Sequence, residues 1–276
     1  MTDRDDHSPA SAHAPDTAQE ATGPDETPAV ADDLRPAQRE ARAERVGRRA
    51  PVIAGVFAVI AAALLGLIVS ARSEFLFEFD EEWAEDVFEA RGPVGDVFAF
   101  LMNDLGGGVV GVFVVPIVTA VILLICRRPW GALYFIIASA ASAAVVQLLK
   151  NLFGRARPED ILVHSDFGSF PSGHVANAAT IAVAIGVIVP IVWVWIAGAA
   201  YTVLMAVSRT YLGAHWLSDT LGGLLVGAGM ALVLWAAFAT QLERERLAWI
   251  DRVSRRNAAR AQAHVTPPAR SRDMEG

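Results

Sequence analysis

Residues 208–219 read Ser208-Arg209-Thr210-Tyr211-Leu212-Gly213-Ala214-His215-Trp216-Leu217-Ser218-Asp219. This polar dodecamer lies between two strongly apolar segments, yet it carries an arginine, a histidine and an aspartate. Ionisable groups at the end of a membrane span are costly to bury and by default mark function. In a helix running from Gly213, His215 and Asp219 fall one turn apart on one face. A carboxylate so placed holds one imidazole nitrogen and leaves the other free to react. The competing reading of the stretch by itself is a polar helix cap with a snorkelling arginine, and the rest of the chain has to decide.

The flanking segments set the class. Of 276 residues 54% are hydrophobic, the mean hydropathy is +0.39, and the apolar residues fall in several long runs, which indicates a multi-span helical membrane protein. The net charge of −7 is spread too unevenly to say much about partners. The single cysteine, Cys126, excludes an intrachain disulfide and any cysteine-based metal site.

Residues 1–50 are rich in Asp, Glu, Ala, Pro and Thr and read as a disordered tail, because they hold too little apolar surface to offset ordering entropy. The mixed charges and the lack of an apolar core argue against a signal peptide. Residues 51–240 form the membrane domain. Val52–Val69 is the first span, and 73–104 is an acidic segment with interleaved Phe75, Phe77, Phe79, Trp83, Val87 and Phe88, read as one or two amphipathic helices at the membrane surface. Further spans run from Gly106 to Cys126, from Trp130 to Leu149, from Val175 to Val189, from Ile191 to Val207 with a hinge at Pro190, and from Trp216 to Ala239. Gly222, Gly223, Gly227 and Gly229 in the last span allow close helix packing. Residues 241–276 are a basic amphipathic tail, read as a membrane-surface anchor rather than a nucleic-acid site. The expected fold is all-α: a bundle of about six transmembrane helices with a short outward-facing amphipathic segment.

Lysine and arginine bias orients the chain. The basic end of the N-terminal tail, the Arg127-Arg128 turn and the C-terminal tail are expected in the cytoplasm, with the protein multi-pass in the cell membrane. Residues 73–104, 150–174 and 208–215 then face outward. Lys150, Arg155, Arg157 and Arg209 therefore lie on the wrong side for basic residues, and binding an anion accounts for that.

Three polar stretches share this face: Lys150 to Pro158, Pro171-Ser172-Gly173-His174, and the dodecamer. The segments between His174 and His215 make a hairpin of two helices of roughly 24–27 Å, which returns both histidines to one level. Lys150, Arg157 and Arg209 repel one another unless an anion sits among them, and guanidinium forks suit phosphate oxygens. Ser172 and Gly173 precede an apolar helix, so their backbone N–H groups and the helix dipole favour an anion. Two histidines flanking such a place equip it for in-line phosphoryl transfer.

The pattern K-x6-R-P at Lys150–Pro158, P-S-G-H at Pro171–His174 and S-R-x5-H-x3-D at Ser208–Asp219 resembles the three-part signature of the type 2 phosphatidic acid phosphatase superfamily, which also contains the vanadium haloperoxidases. Every signature position is filled. The resemblance implies that His215 attacks phosphorus to form a phosphohistidine, that Asp219 holds its tautomer, and that His174 protonates the leaving group. It implies further that Lys150, Arg157, Ser172, Gly173 and Arg209 bind the phosphoryl oxygens. No metal or other cofactor is implied. The implied partners are a lipid phosphate and membrane lipids. Phosphatidic acid, phosphatidylglycerophosphate and polyprenyl pyrophosphate all fit as substrates.

Other readings are weaker. A metal site of His174, His215 and Asp219 conflicts with three neighbouring cations. Haloperoxidase chemistry belongs to typically soluble relatives. A phosphotransferase, or a non-catalytic transporter or scaffold, remains an alternative. His164 reads as a solvated loop histidine ahead of a place at the substrate entrance, Arg155 as a surface or headgroup contact, and Trp130, Trp193, Trp195 and Trp216 as interfacial belt residues, with pocket-shaping the second reading for Trp216.

Overall fold

A computed structural model describes residues 36–71, 74–164 and 166–265. The expected disorder of 1–35 and the end of the C-terminal tail, 266–276, lie outside the described residues. Contacts divide the chain into Met1–Ala43 and Glu44–Gly276. Of the first unit only helical residues 36–43 are described, and every apolar helix long enough to cross a membrane belongs to the second.

Among the described residues eight α-helices succeed one another: α1 Pro36–Ser70, α2 Glu74–Glu89, α3 Pro93–Gly106, α4 Val115–Ile125, α5 Pro129–Phe153, α6 Gly173–Ile188, α7 Val192–Tyr211 and α8 Leu217–Val265. A π-helical turn, Val110–Val114, leads into α4. Among the described residues four stretches are long and apolar enough to cross a membrane: Arg49–Ser70, Pro129–Phe153, Val192–Tyr211 and Leu217–Arg260. A fifth arises if α3 and the segment Val110–Ile125, bent by 46°, count together. The expectation of about six rests on α6, which is apolar but only 16 residues long. At about 1.5 Å per residue, α6 reaches roughly 24 Å, short of a full hydrocarbon core.

Two boundaries differ from those expected. Residues 36–50, placed in the disordered tail, are helical and continuous with the first span. No break separates a membrane domain from a basic tail at 240, because α8 runs unbroken for 49 residues. The reason lies in side-chain chemistry at the α4–α5 turn. Both carboxylate oxygens of Glu245 accept the free N–H groups of Trp130 and Gly131, at 2.6 and 3.0 Å, and so cap α5 from another helix. The Arg128 guanidinium lies 5.5 Å from the Trp249 ring and donates to the Ile188 carbonyl at 2.5 Å. The basic half of α8 is thus packed against the turns at 126–129 and 188–191.

The acidic segment forms two short helices, as expected. In α2 the residues Leu76, Asp80, Trp83, Ala84, Val87 and Phe88 make the least exposed face. The core is built where helices approach closely. A Cβ at Gly223 or Gly227 of α8 would collide with the Ser172 or Ala176 carbonyl oxygen of α6, so only glycine permits this backbone contact. One apolar cluster joins Leu123, Tyr134, Phe135, Ala184, Ile188 and Leu242 at the end bearing the Arg128 turn. Another joins Ala62, Val146, Leu149, Ala176 and Val226 across α1, α5, α6 and α8. A third, Met102, Val175, Ala178 and Met205, docks α3 onto α6 and α7. Large apolar side chains such as Ile53, Phe57, Leu64, Ile117, Ile125 and Trp193 remain exposed, as suits helices facing lipid.

The antiparallel order decides where the site falls. The C-terminal ends of α5 and α7 and the N-terminal ends of α6 and α8 meet at the pole opposite the Arg128 turn.

Candidate active site

Lys150 is near the last turn of α5, which ends at Gly154 in the left-handed conformation (φ 52°). Ser172 caps α6, and Gly173 and His174 open it. Arg209 is in the last turn of α7. The chain then turns sharply at Gly213, with φ 65° and a neighbouring Asp160 carbonyl that leaves no space for a Cβ, a conformation and a clearance that glycine alone meets without strain. His215 comes next, and α8 begins with Asp219 in its first turn. Lys150, Arg157, Gly173, His174, Arg209 and His215 line one cavity of about 630 Å³. Away from these it is walled by Val112, Phe113, Pro116 and Ile117 of the π-helical turn and α4, with Ile136 of α5.

Two expected members stand behind the wall. Asp219 is fully buried. Ser172 is also fully buried; its N–H donates to the Asp219 carbonyl at 2.9 Å. That backbone donor, expected to face an anion, is therefore already used. The Ser172 Oγ has no hydrogen-bond partner among the described residues.

The nucleophile candidate stands between a carboxylate and a guanidinium, with its Nδ1 making no hydrogen bond among the described residues. His215 Nδ1 lies 3.6 Å from Asp219 Oδ2, and its Nε2 lies 3.4 Å from Arg157 Nη1. A guanidinium only donates, so this contact needs an unprotonated Nε2 and puts the proton on Nδ1, facing Asp219. Burial pushes the His215 imidazole well below its ordinary pKa, and the charges of Arg209, Arg157 and Lys150 push it further. Its neutral form, the nucleophilic one, is the ground state of the site.

His174 Nε2 is 3.2 Å from the Asn103 carbonyl oxygen. A carbonyl only accepts, so Nε2 carries the proton there. The side-chain oxygen of the same asparagine accepts Arg209 Nη1 at 2.6 Å, while Arg209 Nε is buried with no partner among the described residues. Asn103 therefore fixes two site residues from α3. Gly107 presses on the same imidazole, and a Cβ there would overlap Nε2 and Cε1. Nearby, Asn177 donates to the carbonyls of Gly106 and Gly111 at 3.3 and 2.9 Å, satisfying backbone that the π-turn leaves open.

The cations are not vacant. Asp166 Oδ1 accepts Lys150 Nζ at 3.1 Å and Arg157 Nη2 at 2.8 Å. The Gly168 carbonyl accepts the same two groups at 2.8 and 2.9 Å, and Arg157 Nη1 also donates to the Ala214 carbonyl. Partial burial pushes the Asp166 carboxyl up, but Lys150 and Arg157 outweigh it and hold the group below its ordinary range.

Four contributors escaped sequence reasoning: Asn103, Asp166, Asp80 and Arg155. Arg155 corrects an expectation. It is no headgroup contact: its side chain is 11% exposed and bridges Asp80 and Asp219 at 2.7 and 2.6 Å. Asp80 did leave a signal, since it is a charge inside the apolar stripe of α2. Trp216 likewise is more than a belt residue, because its N–H donates to Asp219 Oδ2 and its indole N–H to the Ala156 carbonyl, both at 2.9 Å. His164 is exposed, as expected, and lines the cavity mouth.

The chain is similar to known membrane proteins. A family model described as the PAP2 superfamily matches residues 131–243. Phosphatidylglycerophosphatase B of Bacillus subtilis is 32% identical over 130 residues, covering 44% of this chain and 64% of the relative. The Escherichia coli K12 protein YbjG, whose name carries a provisional undecaprenyl-diphosphatase assignment, is 33% identical over 171 residues, covering 54% of this chain and 78% of the relative. The crystal structure of a transmembrane PAP2 type phosphatidylglycerolphosphate phosphatase from Bacillus subtilis superposes with a TM-score of 0.57 at 25% identity, covering 67% of this chain and 96% of that one. The chain spans 49–64% of the length of the first three curated relatives it matches. With these relatives and its own apolar helices, the chain is a multi-pass membrane protein.

Proposed function

The chain belongs to the PAP2 superfamily, and we propose that it is a lipid-phosphate phosphatase working through a phosphohistidine. The single observation that carries the reading is the two-ended cavity: three cations and two histidines at one end, an apolar wall from α4 and α5 at the other. A phosphate bound to an aliphatic chain matches both ends at once. The substrate class is a phosphomonoester or diphosphate of a lipid. Relatives named for phosphatidylglycerophosphate and undecaprenyl diphosphate support it.

In the first step the phosphoryl group displaces the Asp166 carboxylate from Lys150 and Arg157. Arg209 completes the clamp, with Gly173 at the start of α6 supporting it. His215 Nε2 forms a bond to phosphorus while the phosphorus–oxygen bond to the leaving group breaks. His174, entering this step as the imidazolium, gives that oxygen a proton and is left neutral. Asp219 stabilises the Nδ1–H of the phosphoimidazolium, its 3.6 Å contact tightening as charge develops. In the second step His174 takes a proton from water, whose oxygen attacks phosphorus. The nitrogen–phosphorus bond breaks, releasing inorganic phosphate and restoring His215.

The site lies at the pole opposite the basic Arg127-Arg128 turn and the arginine-rich half of α8. The positive-inside bias then puts that basic pole in the cytoplasm and the site at the outer headgroup level of the cell membrane. The test is phosphate release from lipid phosphates by purified protein in detergent with EDTA present. The expected result is metal-independent hydrolysis by the wild type and at most about a thousandth of it in His215→Ala. Wild-type activity retained by His215→Ala would falsify the mechanism.

A further inference from the structure

A line of buried ionic contacts runs from the surface helix α2 to the carboxylate beside His215. Asp80 is fully buried. Its Oδ1 accepts the Ser218 backbone N–H at 2.9 Å, and its Oδ2 accepts the Ser218 hydroxyl at 2.5 Å and Arg155 Nη2 at 2.7 Å. The other arm of the same guanidinium donates to Asp219 Oδ1 at 2.6 Å and to Ser218 Oγ at 2.8 Å. The Trp216 ring stands 5.4 Å from Arg155 and packs, at 6.1 Å, against Phe77, one turn before Asp80. Asp80 and Arg155 contact nothing that reacts.

We infer that Asp80 and Arg155 are positioning residues for the nucleophile, acting through Asp219 to set which carboxylate oxygen serves His215 and how much negative charge that oxygen keeps. The inference rests on the phosphohistidine reading. A carboxylate rotates about one bond, and its two oxygens are equivalent until something distinguishes them. Arg155 takes Oδ1, so Oδ2 alone is left for the Trp216 N–H and His215 Nδ1. With a single carboxylate beside it, a buried guanidinium would draw most of that charge to itself and leave little to stabilise an imidazolium. Asp80 supplies the second carboxylate. Shared between two anions, Arg155 orients Asp219 without neutralising it. The three side chains carry a net charge of about one negative unit, and His215 is the adjacent group that gains positive charge during reaction.

The test uses the full chain in detergent with dioctanoyl phosphatidic acid as probe substrate. Wild type, His215→Ala, Asp80→Asn and Ser218→Ala are compared, with kcat, KM and the inhibition constant of inorganic phosphate measured for each. A group that tunes the nucleophile changes kcat and spares ground-state phosphate binding. The expected result for Asp80→Asn is a kcat at least tenfold lower, with KM and phosphate inhibition within about twofold of wild type. Ser218→Ala should show the same split with a smaller loss, about threefold. A folded Asp80→Asn with wild-type kcat overturns the inference, as does one whose KM and phosphate inhibition weaken in step with kcat. If Asp80→Asn is not monodisperse, Ser218→Ala decides by the same split, and an unchanged kcat there overturns it. An inactive wild type, or an active His215→Ala, instead overturns the phosphatase reading itself and the inference with it.

Discussion

The Asp166 carboxylate sits 3.1 Å from the Lys150 ammonium, in the place that the proposed function gives to a phosphoryl oxygen. The same oxygen reaches Arg157 at 2.8 Å, so one loop carboxylate imitates the anion that the proposed substrate would bring. The Asp166 side chain is 57% exposed, which screens the pair and holds its worth to roughly 0.5–1 kcal/mol.

Removing that competitor should help an anion bind. Asp166→Asn is expected to lower the inhibition constant of inorganic phosphate by about two- to fivefold, the equivalent of the screened pair. Competitive inhibition of phosphate release measures it. A weaker phosphate interaction in this variant would mean that Asp166 holds the cations in place instead of competing for them.

His215 makes stability depend on pH. Its folded pKa is depressed by burial and by Arg209, Arg157 and Lys150, while in the unfolded chain it titrates near the ordinary histidine value of about 6.5. Below that value the unfolded state binds a proton that the native state does not, so stability falls as pH falls. The slope is about 1.4 kcal/mol per pH unit for the one proton, until the native pKa is reached. Thermal unfolding in detergent from pH 7.5 to pH 5 should therefore show a steeper loss in wild type than in His215→Gln.

Gly107 and Gly92 make a matched pair. A Cβ at Gly107 overlaps the His174 ring, whereas one at Gly92 meets nothing within 4 Å. Gly107→Ala is expected to displace His174 and lower kcat by tenfold or more, and Gly92→Ala to leave kcat within twofold. Steady-state phosphate release compares them, and equal effects would show that the imidazole moves aside freely.

Arg209 is clamped by Asn103 at 2.6 Å and keeps a buried Nε with no partner among the described residues. Lysine cannot occupy both places, because its ammonium lacks the fork. Arg209→Lys is expected to reduce kcat/KM by roughly a hundredfold, about 2.7 kcal/mol of transition-state stabilisation. Asn103→Ala should give a smaller loss of the same sign. Both are read from kcat/KM on one lipid phosphate.

The sequence by itself determined the helical membrane class, the sites of most turns, and six residues that meet in one cavity. The physical reason is that apolar run length and helical periodicity are local properties, and that alternating helices return their ends to the same pole. The helix expected from Gly213 begins only at Leu217, so His215 precedes it in the loop, and the turn at Gly213 rather than a helical repeat brings its Nδ1 to 3.6 Å from Asp219 Oδ2. Only the tertiary structure decided what surrounds them. Asp80 meets Ser218 across 138 residues and Asn103 meets Arg209 across 106, and no local pattern encodes such pairings. The same holds for Asp166, whose loop position reads as solvated until folding carries it between two cations. Arg155 looked like a surface charge because arginine is ordinarily exposed. Two buried carboxylates brought together by folding, Asp80 and Asp219, reverse that expectation, since neither anion is tolerated in the interior without a cation between them.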